Sequence, residues 1–120
     1  VRHGARPAAR TAALSHVRDI MFEPQNLPPP DENGIFLHPD IPDTEEGESL
    51  RARCAALGFD CSYVSLEDDA PRALVDAYFE EGLPDVPARW TPTPPAGEGW
   101  LLVAKFDHDD GPHAMFVRRL

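Results

Sequence analysis

The sequence predicts a small α+β domain, with two helices packed on one face of a three-stranded sheet that ends in a C-terminal β-hairpin. Three observations predict it. Apolar residues recur twice at helical spacing, first as Leu50, Cys54 and Leu57, then as Leu74, Val75, Tyr78 and Phe79. Between them, the stretch from Phe59 to Leu66 alternates and is rich in aromatic and β-branched residues, which is the pattern of a half-buried strand. Near the end, two apolar runs, Trp100 to Phe106 and His113 to Arg118, flank a turn containing Asp110-Gly111. At 120 residues, helix–strand–helix–strand–strand fits one domain.

Each element has a local cause. Residues 1–20 read as a leader or weakly helical extension, with Leu14, Val17 and Met21 at helical spacing and Pro7 suited to a first turn. They lack the 7–15-residue apolar stretch of a secretory signal. The single small domain is expected over 21–120, where the character of the chain changes at Met21. It starts with a proline-rich arm, because six prolines within 24–42 remove donors and disfavour helix. Ile35, Phe36 and Leu37 are apolar enough to dock that arm on the core.

The first helix has Glu45, Glu46 and Glu48 near its start, where the helix dipole favours acids, and Gly58 at its end. Glu67, Asp68 and Asp69 are expected to cap the second helix, with Pro71 tolerated in its first turn and Gly82 stopping it. Residues 83–99, with five prolines and Trp90, read as a long loop.

The charge is strongly acidic and unevenly divided. The whole chain carries −10, yet Arg2, Arg6, Arg10 and Arg18 against Asp19 give residues 1–20 a balance of +3, leaving −13 on residues 21–120. A surface of that sign repels phosphates, so direct nucleic-acid binding is not expected. No apolar run is long enough to span a membrane. Two cysteines, Cys54 and Cys61, are too few for a disulfide scaffold, and their spacing matches no standard metal or redox motif. Buried thiols in a cytoplasmic protein are expected, with no cofactor.

Four constellations resemble chemistry. Arg2-His3-Gly4-Ala5-Arg6-Pro7 resembles the Arg-His-Gly signature of histidine phosphatases, with His108-Asp109 as a nominal His-Asp pair. The family's core strand is missing before it, its proline falls one residue later, and its α/β domain is much longer, so the match reads as chance. The turn from Asp107 to His113 fails the calcium-loop frame, since Gly111 falls at position 5 and Arg118 at position 12. His108, Asp109 and His113 are weak candidates for adventitious zinc. Glu67, Asp68 and Asp69 could act in acid–base work but suit a helix start better. Trp90, if exposed, is a candidate aromatic anchor for a protein partner.

The segments Leu37 to Asp43, Val64 to Asp69 and Pro94 to Trp100 resemble small uncharacterised proteins of phages and prophages from high-GC proteobacteria, over roughly residues 35–118. The Arg-, Ala-, Pro- and Gly-rich composition fits a high-GC genome. The resemblance implies an accessory factor of a mobile element and brings no catalytic residues. The expected function is a non-enzymatic interaction protein that offers acidic patches to a basic host protein. Those patches are Glu45, Glu46 and Glu48; Glu67, Asp68 and Asp69; and Asp107, Asp109 and Asp110. The alternatives are a small hydrolase or metal-dependent enzyme using His108, Asp109, Asp110 and His113, and a structural part of a phage assembly.

Overall fold

The computed structural model describes residues 20–120. The expected leader, its Arg2-His3-Gly4 tripeptide and nearly all of the weak helix lie outside the described residues. The fold is α+β, built on one antiparallel sheet of four strands in the order β1–β3–β4–β2. The strands are β1 (Phe36–Leu37), β2 (Phe59–Ser65), β3 (Leu101–His108) and β4 (Gly111–Arg119). The expected three strands become four because β1, only two residues long, pairs Phe36 with Lys105 and Leu37 with Ala104. So short a strand leaves no alternation to read in a sequence.

The hairpin of β3 and β4 is longer than expected and turns at Asp109-Asp110. Gly111 follows with φ 102°, and neither aspartate has positive φ. This matches a type I turn closed by a left-handed glycine. The ladder shifts register between Leu102 and Ala104. Val103 lies within that irregularity, and its carbonyl accepts the His38 N–H at 2.8 Å.

Among the described residues four α-helices surround the sheet: α1 (Leu50–Ala56), α2 (Leu66–Asp69), α3 (Arg72–Phe79) and α4 (Val86–Arg89). The expectation of two helices on a single face is corrected on both counts. One buried cluster joins Cys54 of α1 to Phe59, Cys61, Met115 and Val117, whereas a second joins Leu66, Ala77, Val86 and Trp90 to Ala114 and Phe116. Adjacent β4 residues alternate between the two clusters, so helices cover both faces. Helical spacing fixes which stripe of a helix is buried. It carries no information about which side of the sheet receives it.

The second expected helix is broken in two. Ala70 adopts φ −74° and ψ 155°, because the residue before a proline is forced out of the helical region, and α3 starts after Pro71. Ser65 rather than an acid caps α2, accepting from the Asp68 N–H. Ser49 likewise caps α1 through the Ala52 N–H, and Glu45, Glu46 and Glu48 lie ahead of its first turn. Gly58 follows α1 with φ 93°, as its sequence position requires.

The proline-rich arm is docked. Phe22 is buried, and its N–H donates to Asp40 Oδ2 at 3.0 Å. Buried His38 places Nε2 3.0 Å from the Glu23 carbonyl, and its Nδ1 accepts the Asp40 N–H at 3.0 Å. The carbonyl can only accept and the amide can only donate, so both contacts select the neutral Nε2–H tautomer.

Candidate functional site

The helix α1 has seven residues, and this length determines what the sheet leaves open. It covers the end of the sheet around Cys61 and Val117. Toward the hairpin tip the same face carries a groove of about 520 Å³ above buried Ala104 and Met115. Its floor is Tyr63, Ala104, Phe106 and Met115, and its walls are Leu37, Ile41 and Leu50. All its other lining residues, His108, Asp110 and His113, come from the hairpin end.

Rings run along this face in contact. Tyr63 meets Phe106 edge-on at 6.3 Å, Phe106 stacks on His113 at 6.0 Å, and His113 meets His108 at 5.7 Å. Arg51 lies 6.0 Å from the Tyr63 ring centre. Burial, followed by the neighbouring Cys61 and Cys54 thiols, pushes the Tyr63 hydroxyl up to about 12, so it is neutral at physiological pH. His113 Nδ1 sits 2.9 Å from the Gly111 carbonyl. A carbonyl only accepts, so in the neutral ring Nδ1 carries the proton and Nε2 is left as an acceptor.

The structure therefore brings His108, Asp110 and His113 to one rim and leaves Asp109 off the groove lining. Among the described residues, no group of three or more His, Cys, Asp or Glu side chains is placed to hold a metal ion. Among the described residues, neither rim imidazole has a hydrogen bond or ion pair to a carboxylate, the contact that orients a hydrolytic base.

The acidic patches meet different fates. Glu45, Glu46, Glu67, Asp68, Asp109 and Asp110 are exposed. Glu48 is committed locally, accepting the Glu45 N–H at 2.9 Å and pairing with Arg53 at 3.3 Å. Asp107 accepts the Tyr78 hydroxyl at 3.2 Å. Burial and then the Asp107 charge push that hydroxyl upward.

Asp69 departs furthest from the expected patch, because one carboxylate oxygen accepts both the Trp90 indole N–H at 2.9 Å and the Thr93 N–H at 3.0 Å. Burial, the largest influence, raises its pKa, but the bonds from Thr93 and Trp90 outweigh it and hold the carboxyl below its usual range. Trp90 is 2% exposed, so the condition for a surface anchor is not met. Its ring belongs to the core, with its one polar atom satisfied by Asp69.

Lys105 is the chain's one lysine and is buried. Its Nζ donates to the Pro87 and Trp90 carbonyls at 2.7 and 2.6 Å, tying α4 and the residue after it to the sheet. Burial lowers its pKa. Cys54 and Cys61 are free and fully buried, and burial together with Cys61 pushes the Cys54 thiol up to about 11. Neither thiol has the electropositive, exposed setting of a reactive one.

The groove lining was not legible in the sequence. Ile35 to Leu37 could be seen to dock, yet nothing local says that Leu50 and Arg51 of α1 meet Tyr63. No known protein family, curated protein or solved structure matches the chain. Among the described residues, no helix is long and apolar enough to cross a membrane.

Proposed function

We propose that the protein is a non-enzymatic interaction module that meets a basic protein partner through its acidic surface. One observation carries the reading: the intramolecular pairing of charge is nearly exhausted on the cationic side alone. Arg53, Arg72, Arg89 and Arg118 pair with Glu48, Asp76, Asp85 and Asp60, Arg51 lies against Tyr63, and Lys105 is buried on carbonyls. With −13 on residues 21–120, the carboxylates of those residues far outnumber their cations. An exposed field of one sign attracts a basic surface and speeds its association. A cytoplasmic accessory factor of a phage or other mobile element, occupying a cationic groove on a host protein, fits this chemistry.

The test uses a capped hexa-arginine peptide as the basic probe. Triple reversals to Lys are made at Glu45/Glu46/Glu48 and Asp107/Asp109/Asp110, and a double reversal at Glu67/Asp68. Binding is measured at two salt concentrations. The reading expects weaker binding at the higher salt, because exposed charges are screened beyond about 8–10 Å near physiological ionic strength. At least one reversal should slow association severalfold. Equal binding by the parent and every variant, without salt dependence, overturns it.

A further inference from the structure

The groove on the tip half of the sheet is unlike the acidic surface around it. Its floor and walls are apolar, yet Leu37 is 58% exposed and Tyr63 36% exposed. Two large hydrophobic side chains thus flank a volume of about 520 Å³, within the range that binding pockets occupy. The carboxylate and imidazoles are gathered at one end, and two of these groups present acceptors to the groove. Asp110 is a carboxylate and only accepts; His113 has its Nδ1 proton turned to the Gly111 carbonyl, which leaves Nε2 to accept. Asp107 and Asp109 stand beside Asp110 on the same hairpin, and among the described residues no Lys or Arg lines the groove. An apolar trough closed by acceptors at one end complements a ligand with an apolar body and a cationic donor head.

We infer that this groove holds a segment of a basic protein partner, seating one large apolar side chain between Leu37 and Tyr63 with an adjacent Arg or Lys reaching Asp110 at the hairpin end. A segment of a larger partner is favoured because the exposed flanks leave the trough open to a side chain projecting from a surface. The inference rests on the acidic-surface reading and adds a place and a sequence preference to it. Acidic attraction alone would accept any cationic peptide; the groove would prefer one carrying an aromatic residue.

The experiment titrates the full chain with a capped Trp-Arg-Arg peptide and its Ser-Arg-Arg counterpart, reading affinity at low salt and methyl and imidazole NMR shifts. The Trp peptide should bind at least tenfold more tightly and shift Leu37, Leu50, Met115 and His113. Leu37→Ser should abolish most of the Trp preference. Asp110→Asn should weaken both peptides while leaving the Trp preference in place. Both variants change exposed side chains, and an unaltered melting transition shows that they fold. Equal, salt-sensitive binding of the two peptides, with shifts outside the groove, overturns the groove and leaves the acidic-surface reading standing. Failure of both peptides to bind at low salt overturns both readings.

Discussion

Asp69 accepts two hydrogen bonds on Oδ2, from a buried indole and from the Thr93 amide. Asp69→Ala should therefore lower stability by about 2–4 kcal/mol, since it removes charge-assisted bonds and strands a buried N–H. Glu67→Ala and Asp68→Ala, at exposed neighbouring positions, should stay within about 0.5 kcal/mol. Urea titration of the three variants separates these outcomes. Because the folded-state pKa of Asp69 is depressed, its contribution is complete above the ordinary carboxylate value, about 4, and is lost as pH falls through the lower folded value. Asp69→Ala should flatten the acid limb of stability against pH.

Cys54 works in the opposite direction. Its raised pKa means that its contribution is complete below the ordinary thiol value, about 8.5, and is lost as pH rises through about 11. Alkaline melts should show stability falling across that window, and Cys54→Ala should shrink the fall. A parent protein equally stable at both ends of the window would contradict this.

At the scale of elements, α4 is held by its neighbours more than by its own four residues. Helices this short are not stable alone. Lys105 holds its carbonyl end, Asp69 holds Trp90, and the turn leading into β1 presses on it from the arm. In that turn Asp31 Oδ1 accepts from the Asn33 and Ile35 amides, and Gly34 adopts φ 88°. A Cβ on Gly34 would run into the backbone of Ala88 and Pro87. Gly34→Ala should thus cost about 2–4 kcal/mol, from the left-handed backbone and an obstacle that cannot rotate away. Chemical denaturation would detect it, and a loss under about 0.5 kcal/mol would show that the arm shifts freely against α4.

At the scale of the whole molecule, the charge of residues 21–120 works against compactness as well as attracting a partner. Adding salt at low ionic strength should raise the melting temperature, since screening weakens like-charge repulsion sooner than it weakens buried contacts. A fall in melting temperature would mean that surface ion pairs such as Arg72–Asp76 outweigh the repulsion. A chain cut to 21–120 should keep a cooperative transition, with a change under about 1 kcal/mol, because the arm is anchored from Phe22 onward through Asp40 and His38. Loss of that transition would place part of the core in residues 1–20.

What the sequence determined by itself were features set within a few residues: the helical stripe of Leu50, Cys54 and Leu57, the alternating strand that starts at Phe59, Gly58 beyond its helix, the hairpin turn and the net charge. Spacing, special dihedrals and formal charge are local quantities, so they survive without a partner in view. The break at Ala70 also has a local cause, the conformation Pro71 denies the preceding residue, but the expectation of one helix with Pro71 in its first turn missed it. The tertiary structure alone decided the rest. It put helices on both faces, enlisted Phe36 and Leu37 as a fourth strand, gave Asp69 to an indole 21 residues away, and left a groove between Tyr63 and His108. Each of these depends on which distant surfaces meet, and side-chain periodicity specifies a buried face without naming what buries it.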